Sequence, residues 1–190
     1  MKPDALKRRP GFGPRYALAL AAALLLPGCA ATPQKYLPLV IGDTPEVVIH
    51  RFPTDKAGKE YQGDTDFGRQ FAEYLAGALQ QRGVRALVAP EQFPDEGVRY
   101  VVDGDITRIH PGAADTHFRL LFWQADQADF AVGIRMTDRN DSEKIFTAQA
   151  EENYKRTEND DHALLYAAAG AADDLAKIIA KRIDAGKKKE

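Results

Sequence analysis

Apolar residues recur along this chain at two spacings, and the spacings divide it into elements. Residues 46–52 (Glu-Val-Val-Ile-His-Arg-Phe) are rich in β-branched side chains and read as a strand that Pro53 ends. Beyond a polar loop, Asp64 or Thr65 is placed to cap a helix running to about Arg82. Phe67, Phe71, Leu75, Ala78 and Leu79 fall on one face of it, and Gly83 stops it. A second strand covers 84–89 and a loop covers 90–97. A third strand covers 100–109, with Gly104 between Asp103 and Asp105. Residues 128–138 alternate cleanly, with Phe130, Val132, Ile134 and Met136 on one side. Arg139-Asn140-Asp141-Ser142 is a turn, and 143–154 returns as the next strand. From Asp160 or Asp161 a long helix runs to about Asp184, with Leu164, Leu165, Ala168, Ala172, Leu175, Ile178, Ile179 and Ile183 as its apolar stripe.

Grouped strands with segregated helices imply an α+β fold: a mixed or antiparallel sheet of about five strands, with two helices packed on one face. The domain is expected to span 46–184 and to end in a basic, frayed tail, 185–190. Before it, Pro33, Pro38 and Pro45 mark a tether over 29–45, with room for a short strand at 39–41.

The first residues follow a different pattern. Lys7, Arg8, Arg9 and Arg15 precede an uncharged apolar run over 16–26, which is short for a bilayer span and about the length of a signal-peptide core. Arg8-Arg9 is followed by Pro10-Gly11 and is read as basic n-region. The run closes on Leu26-Pro27-Gly28-Cys29. This resembles the lipobox of bacterial lipoproteins, with Pro27 in place of the usual small residue. The resemblance implies that 1–28 is a removed signal peptide and that Cys29 carries the acyl chains, palmitate among them. Ala30 in the next position implies residence in the outer membrane, facing the periplasm. Several chains on one residue hold a protein stably, whereas one holds it marginally.

Charge changes the picture of the mature part. The formal net charge is −2, but residues 1–28 hold five cations against Asp4 alone, a charge of +4. The remainder therefore carries −6. An acidic domain repels phosphate backbones, so nucleic acid is not expected as a partner.

Local phrases in 71–83 (Phe…Leu…Leu-Gln-x-Arg-Gly) and 100–106 (Tyr-Val-Val-Asp-Gly-Asp-Ile) resemble those of periplasmic lipoprotein domains. The curli-secretion lipoprotein CsgG, the LpoB activator of peptidoglycan synthases and the amino-terminal domain of TolB share that layout. The stretch 103–112, followed by a hairpin and a final helix, is closer still to an uncharacterised family of bacterial lipoproteins. The resemblance covers 46–184 and implies scaffolding, assembly or activation of envelope machinery, and leaves the system unnamed.

Catalytic chemistry has little to work with. The chain has one cysteine, which the lipobox uses, and one serine, Ser142, which sits in a turn outside any Gly-x-Ser-x-Gly setting. No phosphate-binding glycine loop is present, so no cofactor is expected. Asp103, Asp105, His110, Asp115 and His117 are the only metal-ligating group in sequence, and the alternative for them is a solvated strand face. The segment 118–123 gathers Phe118, Arg119, Phe122 and the only tryptophan, Trp123. It reads either as core or as a contact for a partner. The functional expectation is a lipid-anchored module for binding, assembly or scaffolding of an envelope component, not an enzyme, with oligomerisation open. An auxiliary lipoprotein of an ABC-type lipid-transport system and a metal-dependent hydrolase are the alternatives.

Overall fold

The computed structural model describes residues 35–38, 44–57, 66–90, 97–110, 127–141, 145–155 and 162–188. In chain order these form β1 (Val47–Ile49), α1 (Phe67–Gln80), β2 (Ala86–Val88), β3 (Tyr100–His110), β4 (Gln127–Asp138), β5 (Ile145–Lys155) and α2 (Ala163–Lys187). The order and type of the elements match the α+β expectation. The five strands make one mixed sheet in the order β2-β1-β3-β4-β5. β1 runs parallel to both β2 and β3. β3, β4 and β5 form an antiparallel meander whose last turn is a 3₁₀ helix, Arg139–Asp141.

β1 is shorter than 46–52 suggests, because Pro53 and the chain's departure toward α1 end the ladder early. Beyond it, the His50 N–H still reaches the Val102 carbonyl at 2.9 Å. The cap of α1 is Asp66, one residue past Thr65 and two past Asp64: its carboxylate accepts from the Arg69 N–H at 3.1 Å. Its end is made by Gly83 at φ +75, which lets the Val84 N–H fold back to the Leu79 carbonyl at 3.1 Å. α2 continues to Lys187, so the expected tail is helical at its start. The Lys187 ammonium pairs there with Glu46 at 2.7 Å, tying the helix end to the entrance of β1.

Both helices pack on one face of the sheet. Val47, Ile49, Val102, Ile106, Phe130, Val132, Ile134 and Met136 meet Phe71, Leu75 and Leu79 of α1 and Ala168, Ala172, Leu175, Ile179 and Ile183 of α2. Phe71 stands edge-on to Phe52 at 4.9 Å and tilts against Phe130 at 5.1 Å. Such ring pairs contribute about 0.5–1.5 kcal/mol each beyond their buried area. A bulge at Thr107 shifts the parity of β3: Ile106 faces Val132, Arg108 faces Ala131, and Ile109 returns to the core.

One close approach sets where α1 lies. A Cβ at Gly68 would stand 1.9 Å from the Phe52 carbonyl oxygen, so only glycine lets the first turn sit against the strand's exit. Gly68→Ala is expected to destabilise the domain by roughly 1–3 kcal/mol, and Phe71→Ala by roughly 3–5 kcal/mol. Urea unfolding measures both, and an unchanged midpoint for Gly68→Ala would show that the contact does not constrain α1.

Candidate functional site

The described residues nearest the expected lipid anchor are held against the fold. Leu37 presents its backbone to the side chain of Gln80 near the end of α1. Its N–H donates to Oε1 at 3.2 Å, and its carbonyl accepts from Nε2 at 2.6 Å. The same Nε2 donates to the Ala86 carbonyl of β2 at 3.0 Å. One glutamine thereby joins helix, edge strand and incoming chain. Beside it, the Tyr36 hydroxyl accepts from the Val88 N–H at 3.2 Å, satisfying a donor of the edge strand β2. The Leu37 side chain is 65% exposed.

The sheet face away from the helices carries cross-strand ion pairs. Asp103 lies opposite Arg135 in the β3–β4 register, and their side chains meet at 2.9 Å. Lys56 reaches Asp105 at 2.7 Å, and Arg108 meets Glu151 of β5. All are solvent-facing pairs, worth little individually. Between them lies an open depression of about 670 Å³, bordered by His50, Asp103, Asp105, Arg135 and Gln149. Gly104 and Gly133 form its floor. A Cβ at Gly104 would lie 2.1 Å from the Gly133 carbonyl oxygen, which ties the glycine of Asp103-Gly104-Asp105 to close strand packing.

A smaller cavity of about 300 Å³ lies where the end of α2 meets the start of β3. Arg99 lies over the Tyr100 ring at 4.9 Å and 3.5 Å from Asp138, and Arg182 stands over Phe146 at 5.7 Å. Asp138 and Asp141 balance the two guanidinium groups. The cavity therefore has no net preference for one sign of charge.

A charged network crosses from β5 to the helices. Arg82 of the α1 exit pairs with Asp173 at 2.7 Å, and Lys177 with Asp173 at 3.0 Å and Asp174 at 2.8 Å. Burial would raise the Asp173 carboxyl, but hydrogen bonds from Lys177 and Arg82 outweigh it, and the group titrates below its ordinary range. Glu152 goes the other way. It lies under α2, where a Cβ at Gly170 would stand 3.4 Å from its Cγ. Burial first, then the Asp174 carboxylate, push Glu152 above its ordinary range, with Lys177 opposing.

The sequence-predicted residues are placed unevenly. Asp103 and Asp105 share a face of β3, but each is engaged by a cation, and His110 lies at the strand's far end beyond the bulge. Among the described residues no three metal-ligating side chains come together. Asp115 and His117 lie outside the described residues, as do Ser142, Cys29 and the expected contact Phe118, Arg119, Phe122 and Trp123. Ile178, read as part of the α2 stripe, is 41% exposed. Sequence reasoning missed the Gln80 clamp. Its only signal is a glutamine in the last turn of an amphipathic helix, which is ordinarily a solvated position.

No protein-family model and no curated protein matches the chain. Solved structures resemble it in outline. PelC from Paraburkholderia phytofirmans, described as a dodecamer, is 14% identical with a TM-score of 0.48, over 75% of this chain and 92% of that one. A minor lipoprotein from Acinetobacter baumannii is 15% identical with a TM-score of 0.37, over 75% and 94%. Lipoprotein GNA1162 from Neisseria meningitidis is 11% identical with a TM-score of 0.39, over 74% and 99%.

The Glu152 environment has a pH signature. The folded state holds this proton more tightly than the unfolded chain. Its contribution to stability is therefore full below the unfolded value and is lost as pH rises through the folded one. Glu152→Gln is expected to raise the melting temperature at about pH 7 and to leave it unchanged at about pH 3. Thermal melts across that range check it, and an equal shift at both ends would remove titration as the cause.

Proposed function

We propose that this protein is an outer-membrane lipoprotein held by acyl chains on Cys29, whose α+β domain serves as a binding, assembly or scaffolding module for another envelope component. The observation that carries this reading is the short join between lipobox and fold. Tyr36 follows Cys29 by seven residues and already bonds to β2. Seven extended residues reach at most about 25 Å. Lipid on Cys29 would thus keep Tyr36, and with it the β2 edge, within that reach of the bilayer.

Supply of chemistry supports a role by contact and not by catalysis. Acylation uses the only thiol, and Ser142 is the only serine. The depression on the sheet face is lined by carboxylates already paired with cations, which suits a polar protein surface better than a reaction centre. The expected contact at Phe118, Arg119, Phe122 and Trp123 rests on its composition, since aromatic and arginine side chains anchor interfaces. Ala30 is the support for the outer membrane as the final location.

In cells given a labelled fatty acid, the native chain should carry label and sediment with outer membranes. Cys29→Ala should lose the label and leave the membrane fraction. Label retained by Cys29→Ala, or a native chain free of membranes, contradicts the anchor. Trp123→Ser should reduce crosslinking to an envelope partner at an unchanged unfolding midpoint. A fall in the midpoint would instead assign Trp123 to the core.

A further inference from the structure

We propose that the outer edge of β5 pairs with the same edge of a second copy of this chain, antiparallel, about a two-fold axis at Ala150. The two ends of the sheet are unlike. β2 is three residues long, and Tyr36 and Leu37 lie along it. β5 is eleven residues long, and no described strand lies beyond it. Ile145, Thr147, Gln149, Glu151, Asn153 and Lys155 are exposed, Ile145 at 58%. On the other side Phe146, Ala148, Ala150 and Tyr154 pack against the core and stay only partly buried. A strand of this kind offers a row of N–H and C=O groups and a half-covered apolar row to another strand. β5 has no proline and no lysine before its last residue.

Charge selects the occupant and the register. Pairing all eleven residues about Ala150 sets Phe146 opposite Tyr154, Thr147 opposite Asn153 and Gln149 opposite Glu151. No like charges face each other in this register, and Arg108 already neutralises Glu151 on its own sheet. Glu152, the one charge directed under the helix, falls opposite Ala148. Sliding the two-fold to residue 151 puts Glu151 opposite Glu151, a destabilising pair. The edge is thus complementary to itself. Because β2 is covered by the anchored segment, pairing stops at two copies and does not run on as a fibre. A two-fold perpendicular to the sheet leaves both anchored segments at the outer ends, free of the interface.

The test uses the full chain in mild detergent, as the native protein and as Cys29→Ala, followed by sedimentation equilibrium. Both are expected to be dimers. Gln149 is exposed, so its replacement should spare the unfolding midpoint. Gln149→Glu places like charges together twice per dimer and should raise the dissociation constant about tenfold. Gln149→Lys should lower it about tenfold. Both effects should fade in high salt. A monomer at about 100 µM, a dimer indifferent to both substitutions, or a larger ring overturns the proposal. Association that disappears in Cys29→Ala also overturns it, since the acyl chains would then be the cause. None of these outcomes bears on whether Cys29 is acylated, which the fatty-acid label reads separately.

Discussion

β1 is three residues long and hydrogen-bonds on both sides, to β2 and to β3. Val47, Val48 and Ile49 are fully buried. A central parallel strand leaves no backbone group to water and needs cover on its faces. Parallel pairing also needs a crossover, which α1 supplies between β1 and β2. That crossover fits because Gly68 lets its first turn rest on the Phe52 carbonyl, and because Phe52, Phe71 and Phe130 fill the space above. The antiparallel half is then an extension. β3 is anchored on β1 at its start and runs on as the first arm of a meander that α2 covers.

Among the described residues, this arrangement gives the sheet a short, occupied edge and a long, open one. The short edge is held by Gln80 and Tyr36, side chains of neutral groups with good geometry. The long edge is flanked by charge on both faces, Arg108–Glu151 on one side and the Glu152–Asp174–Lys177 group on the other. Glu152, which titrates high, and Asp173, which titrates low, sit within one network. The same lysine, Lys177, pairs with Asp173 and Asp174 and opposes the upward shift of Glu152.

Much of the fold was legible in the amino-acid pattern. Helical stripes such as Phe71-Leu75-Leu79 and alternation such as Phe130-Val132-Ile134-Met136 are local signals, and both reappear in the core. What was not legible depends on partners far along the chain. Thr107 gives no sign of being the extra residue of a bulge, since parity is decided by the register with β4. Gly68 reads as a weak point in a helix until Phe52 is placed beneath it. Asp103 and Asp105 look like ligands when seen alone. The cations that engage them, Arg135 and Lys56, are 32 and 49 residues away. The expected lipobox is the opposite case: the reading of Cys29 rests entirely on its neighbours in sequence, and the residue lies outside the described residues.

The grip of Gln80 on Leu37 also has a mechanical meaning. Under the proposed anchor, a load from Cys29 meets the Tyr36 hydroxyl on β2 and the Leu37 backbone in the grip of Gln80 before it reaches β1. While the clamp holds, the leash is the short run from Cys29. If both contacts yield, the eight residues between Leu37 and Glu46 join the leash and add at most about 30 Å of reach. The same event strips Tyr36 from β2 and uncovers its edge. Tension would then convert a closely moored domain into a longer-ranging one, and the changeover is set by a few hydrogen bonds at Tyr36 and Gln80.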